Sequence, residues 1–348
     1  MTRPSIRSLL VAALTVASLG LAAGCGSSSS GSSGRHGSIT LYNGQHEQTT
    51  DALVAGFEKA TGIQVNVRSD DEDVLDNEIV TEGSHSPADV IYTENTPALQ
   101  FLQEHNLLAK VDASTLAHTP GQYNSANGDW VGVSARVSVL DYNPSLISAS
   151  QLPKTALAMA DPQYKGKLAI APGETDFQPI VTSMMRRYGT ARTKTWLEGL
   201  KANAGSNHEY PDNETIADEV NRGQVAFGLI NQYYWYRLNA EVGASRNHSK
   251  IAYLAPRDPG YVLDVSGAAV LASSRHQSAA QRFVAYLTSK AGQEIIAHSI
   301  SFEYPIASGV TTAQPETPFN QLQPNPINLE QLGDGRAAVA LLKQVQLL

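Results

Sequence analysis

From Ser38 onward, short apolar runs alternate with amphipathic stretches, and the two periods together predict a βαβαβ opening. A strand is expected over 39–42, a helix over 51–60 ended by Gly62, a strand over 63–67, a helix over 74–81 and a strand over 88–92. A second series follows: a strand over 167–171, helices over 177–188 and 213–221, a strand over 225–230 and a helix from Tyr233. Residues 266–272 read as a buried strand, and 277–289 and 292–298 as helices. This alternation predicts an α/β fold in which helices cover a sheet and ligands sit in a crevice at the carboxyl ends of the strands. Two lobes are expected, 38–135 plus 265–310 and 136–264 plus 311–348, with strands near 136–142 and 264–272 crossing between them.

The residues before Ser38 have a different pattern. Residues 1–24 carry Arg3 and Arg7, then an apolar run from Leu9, then small residues, which is the order of an export signal. Leu21-Ala22-Ala23-Gly24-Cys25 resembles the lipobox of bacterial lipoproteins, which implies that Cys25 becomes the acylated N-terminus and anchors the chain on the outer face of the cytoplasmic membrane. Cys25 is the sole cysteine, so no intramolecular disulfide competes for it. Residues 25–37, nearly all Gly and Ser after the cysteine, read as a flexible tether. The 348 residues leave room for two cores, and the net charge of -8 lacks the basic face a nucleic-acid binder needs. A lipid-tethered, two-lobed α/β chain suits a receptor whose hinged cleft closes on a small ligand.

Candidate chemistry lies where predicted strands end. Tyr42-Asn43-Gly44-Gln45-His46 follows the first strand, Tyr92-Thr93-Glu94-Asn95 the third, and Ile230-Asn231-Gln232-Tyr233-Tyr234-Trp235-Tyr236 the strand over 225–230. Two adjacent tyrosines opening a helix, among only 14 in the chain, place phenol oxygens at a positive helix end facing the crevice. Phenols titrate near pKa ~10, so a strong Lewis acid is needed to displace their protons at neutral pH. Hard trivalent iron matches carboxylate and phenolate oxygen, whereas softer metals favour thiols.

These segments, with Pro87-Ala88-Asp89-Val90-Ile91 ahead of Tyr92, resemble the bacterial ferric-ion-binding receptors of iron ABC transporters, the FbpA-like "bacterial transferrins". The resemblance covers nearly the whole exported body. Asp258-Pro259-Gly260, Gly292-Gln293-Glu294 and Glu303-Tyr304-Pro305 add structural rather than chemical matches. It implies a two-lobed periplasmic-binding-protein fold, Fe(III) as cargo, a permease with its ATPase as partners, a monomer, and His46, Glu94, Tyr233 and Tyr234 as metal ligands. One carboxylate and two phenolates then balance the ferric charge, with neutral histidine as fourth ligand. Two octahedral positions remain for a synergistic anion (carbonate, phosphate or citrate), held by residues matching Asn95, Asn213 and Asn231. The chain departs from that pattern where phosphate-using relatives carry a small Ser-Gly-Ala type loop, because Glu174-Thr175-Asp176 stands there. Two carboxylates repel phosphate, so completion by one of them, by water or by a differently placed anion is expected instead. Arg136 is placed to hold carbonate or to pair with these acids.

Each residue also has a plainer reading. His46 alone reads as a structural histidine, Glu94 as a helix N-cap partner, and 233–236 as an aromatic core stripe in which Trp235 and Tyr236 remain. His46-Glu47 fails the zinc-protease spacing because Thr50 stands where the second histidine belongs. Asp70-Asp71-Glu72-Asp73 lacks EF-hand spacing and reads as a solvated helix start. Two rivals stay open: a receptor for a thiamine-like or polyamine cation, and an exported hydrolase using a tyrosinate-bound metal, which Glu174 and Asp176 keep in view.

Overall fold

The computed structural model describes residues 37–313 and 316–348, so Cys25 and the export signal lie outside the described residues. The chain begins with β1 (Ser38–Gly44), α1 (Glu47–Thr61), β2 (Gln64–Ser69), α2 (Glu72–Glu82), β3 (Val90–Thr93), α3 (Thr96–Glu104) and α4 (Ala113–Leu116). The long β4 (Val131–Tyr142) leads to β5 (Leu168–Ala169), α5 (Phe177–Tyr188), α6 (Thr190–Ala204), α7 (Asn213–Asn221), β6 (Phe227–Asn231) and α8 (Gln232–Val242). Then come β7 (Lys250–Ala252), β8 (Leu263–Val270), α9 (Gln277–Leu287), α10 (Lys290–His298), β9 (Tyr304–Pro305) and α11 (Arg336–Gln344). Gly62 caps α1 in the left-handed conformation, φ 73°, where a residue without Cβ bears no strain.

The fold is α/β and built on one curled sheet, strand order β2-β1-β3-β8-β4-β6-β5. β1 lies parallel between β2 and β3, while β8 joins antiparallel to both β3 and β4. β4 holds the two halves together: Val131–Val137 pair with β8, and Ser138–Tyr142 pair with β6. The lobe limits expected at 135/136 and 264/265 therefore fall inside two continuous strands, β4 and β8. Every residue of β4 is buried, as its near-continuous apolar run requires of a strand covered on both faces. One core cluster packs Ile39, Leu41, Leu53 and Phe57 against Val90, Phe283 and Val284, and a second runs from Leu75 and Leu99 through Val137, Trp196, Phe227 and Leu342.

α3, α6 and α11 were not expected. In α6 the apolar stripe is reduced to Trp196, Leu197 and Leu200 among threonines and lysines, too sparse to show the helical period. No helix among the described residues is long and apolar enough to cross a membrane.

Asp141, on β4, is fully buried and neither of its carboxyl oxygens has a well-formed hydrogen bond. Burial pushes this carboxyl well above the ordinary aspartate value, against partial help from Ser249 and the Tyr142 backbone. A group whose pKa is raised by folding costs stability as pH rises from its unfolded value of about 3.9 toward its folded one. Asp141→Asn, which mimics the neutral acid, is expected to be indistinguishable from wild type in urea denaturation near pH 4 and more stable at pH 7 to 8.

Candidate metal centre

Four helix N-termini meet at the carboxyl edge of the sheet. His46 stands at the N-cap position of α1 after β1, Asn95 at that of α3 after β3, Asn231 at that of α8 after β6, and Asp176 at that of α5. The unsatisfied N–H groups of these first turns make the location favourable to oxygen anions. The approach is close: a Cβ at Gly44 would stand 2.7 Å from the Glu72 Cβ, so only glycine lets β1 end against the start of α2.

Tyr233 shares its single hydroxyl proton between Glu94 Oε1 at 2.7 Å, the shorter contact, and Asp176 Oδ2 at 3.2 Å. Tyr234 donates to the same Asp176 oxygen at 3.2 Å. His46 Nε2 lies 3.1 Å from Glu94 Oε1, and its ring meets the Tyr233 ring edge-on at 5.0 Å. Glu94 and Asp176 thus link His46, Tyr233 and Tyr234 into one chain of polar contacts, with the two tyrosine rings 4.1 Å apart. Arg136 lies on the far side of Asp176, with Nη2 3.2 Å from Oδ1, and also donates to Asn95 Oδ1 at 2.6 Å. Arg237 sits over the Tyr233 ring at 4.9 Å.

Electrostatics match a site short of positive charge. Burial pushes both phenols well above their ordinary value, and the charges of Asp176 and Glu94 push them further. Burial also raises Glu94, but His46, Arg136 and the Tyr233 hydroxyl outweigh it and hold this carboxyl below the usual range. Burial first, then Glu94, raises Asp176. Glu174 is pushed up to about 8 by burial and by Asp176.

The remaining candidates separate in space. Glu174 accepts the Asn213 backbone N–H at 3.3 Å, so it turns toward α7 while Asp176 turns toward the phenols. Thr175 accepts from Asn95 Nδ2 at 3.1 Å, and Asn231 is buried with Nδ2 unpartnered. Trp235 and Tyr236 point into packing, Tyr236 stacking on Phe302 at 5.9 Å.

Two residues differ from the sequence reading. Glu72 is no part of a solvated helix start: it is buried, accepts from the Asn95 backbone N–H at 2.8 Å and from Asn95 Nδ2 at 2.9 Å, and is pushed up to about 8 by burial and Glu94. Its neighbours Asp70, Asp71 and Asp73 are exposed. Glu303, which sequence marked only as structural, has an oxygen within 4.8 Å of ligand atoms of His46 and Glu94. A cleft of about 500 Å³ opens over this cluster, lined by Glu47, Asp70, Asp71, Asp73 and Glu174 among others.

The model for "bacterial extracellular solute-binding protein" matches residues 85–328. The chain is 39% identical over 310 residues to the Fe(3+)-binding periplasmic protein of Serratia marcescens, an overlap of 89% of this chain and 90% of that one. Iron-bound HitA from Pseudomonas aeruginosa is similar in structure with a TM-score of 0.84 and 39% identity, over 88% of this chain and 99% of that one. The IdiA protein of Trichodesmium, in complex with iron and citrate, gives a TM-score of 0.77 at 28% identity, over 88% and 99% of the two chains.

Proposed function

Because the chain belongs to the bacterial extracellular solute-binding proteins, we propose that it captures ferric ion in its interlobe cleft and delivers it to an ABC permease and its ATPase. One geometric fact carries this reading. A small hard cation with octahedral bonds of about 2.0–2.1 Å sets neighbouring ligand atoms roughly 2.9 Å apart. The donor atoms here are already spaced at 2.7 Å (Tyr233 to Glu94), 3.1 Å (His46 to Glu94) and 3.2 Å (each tyrosine to Asp176). A ferric ion seated among these atoms replaces the hydrogen-bonded phenol protons, and those protons leave to solvent.

Charge supports the same choice. Glu94, Asp176 and two phenolates contribute -4, Arg136 returns +1, and the remaining -3 balances a trivalent ion. Asp176 occupies the place where an exogenous anion would bridge iron and Arg136, so His46, Glu94, Asp176, Tyr233 and Tyr234 complete five positions from the protein, with water at the sixth. Glu174, Thr175, Asn95, Asn213 and Asn231 frame the site without ligating, and no carbonate, phosphate or citrate is required.

Residues 38–135 plus 265–310 would form one lobe and 136–264 plus 311–348 the other, flexing where β4 and β8 pass between them. His46 and Glu94 come from the first and Tyr233, Tyr234 and Asp176 from the second, so the ion bridges the lobes and the closed form is what a permease reads. This is binding, with no turnover. The exported monomer is held to the outer face of the cytoplasmic membrane by lipid on Cys25, and residues 26–37 give it reach. The test is metal analysis after gel filtration of the soluble body exposed to ferric nitrilotriacetate: one iron per chain is expected. Iron-free protein that instead binds thiamine or spermidine in calorimetry would replace this reading with the organic-cation one.

A further inference from the structure

Glu303 lies just before β9, which pairs with β4 where the two halves of the sheet meet. It is only 1% exposed, and its ion pair with Arg136 is long, with Nη1 3.6 Å from Oε1. Its oxygens also accept from Gln45 Nε2 at 3.3 Å and from the Ser134 hydroxyl. Gln45 in turn accepts the His46 backbone N–H through Oε1 at 2.7 Å. A buried carboxylate supported mainly by neutral donors is costly, which calls for a return elsewhere.

Resting on the ferric reading above, we propose that Glu303 is a positioning residue of the iron site, acting along two arms that leave the hinge. Through Gln45 it fixes the backbone that carries His46. Through Arg136 it restrains a guanidinium whose Nε and Nη1 have no hydrogen-bond acceptor of their own. Released from Glu303, that planar fork would pair with both oxygens of Asp176, the favoured bidentate geometry, and Oδ2 would no longer be available beside the phenols. Glu303 therefore keeps Asp176 divided, with Oδ1 for Arg136 and Oδ2 for the metal.

The test uses the soluble body loaded from ferric nitrilotriacetate, with citrate competition for affinity and the visible phenolate-to-iron band as readout, in wild type, Glu303→Gln, Glu303→Asp and Gln45→Met. Glu303→Gln is expected to weaken ferric binding about tenfold or more and to move the band to longer wavelength, because iron that loses a carboxylate donor draws phenolate charge more readily. Glu303→Asp restores part of both effects. Gln45→Met weakens binding and leaves the band in place, since only the His46 arm is cut. Unchanged affinity in Glu303→Gln, or lower affinity with an unmoved band, overturns the proposal. Should Glu303→Gln fail to fold, Gln45→Met decides, and unchanged affinity there overturns it. A wild-type protein without any visible band would instead sink the ferric reading itself.

Discussion

The Tyr233→Phe/Tyr234→Phe protein is expected to fold normally and to lose its ferric ion. Both rings stay in place, because their packing in the core does not use the hydroxyls, which point only at Glu94 and Asp176. What disappears is half of the site's negative charge and the only donors able to give phenolate-to-iron colour. The loss should exceed about a thousandfold in affinity, or roughly 4 kcal/mol. The single variants should not be equal. Tyr233 touches both Glu94 and Asp176, whereas Tyr234 touches Asp176 alone, so Tyr233→Phe should be the weaker binder of the two. Citrate competition with far-UV circular dichroism on all three proteins checks the order and the retained fold.

The second large effect belongs to Asp176→Ala. If this carboxylate stands in for an exogenous anion, wild type should bind iron equally well in buffers with and without millimolar bicarbonate or phosphate. The variant should lose about a hundredfold, near 2.8 kcal/mol, in anion-free buffer and recover much of it when either anion is added. Arg136 is the reason for the expected rescue: without Asp176 it presents a buried guanidinium facing a gap beside the metal, the arrangement that binds an oxyanion. Wild-type binding that depends on added anion, or a variant indifferent to it, would show that Asp176 does not have this role.

The legibility of the site follows from how local each part is. The turns after β1, β3 and β6 announce themselves by apolar runs ending in polar or aromatic residues, and the paired tyrosines open α8 as their spacing suggests. The choice between Glu174 and Asp176 was closed to sequence because the two acids are neighbours but one. Only the start of α5 decides that Asp176 faces the phenols and Glu174 faces α7. Glu303 was less legible still, since its contact with Gln45 spans 258 positions and no periodicity records a pairing at that range. Glu72 misled for a related reason: in an acidic run it looks like a solvated helix start, and only the approach of Gly44 and Asn95 buries it. Strand β4 was partly visible as an apolar run, but its shared pairing with β8 and β6 is a property of the sheet.

The central claim is that a ferric ion replaces phenol protons that now bridge to Glu94 and Asp176. Its most direct measurement is a titration of the wild-type soluble body with ferric nitrilotriacetate in a pH-stat, recording visible absorption and proton release together and subtracting the protons of the donor complex. The account predicts a coloured complex that saturates at one iron per chain with release of about two protons per ion near neutral pH. Iron uptake without colour and without those protons would contradict it.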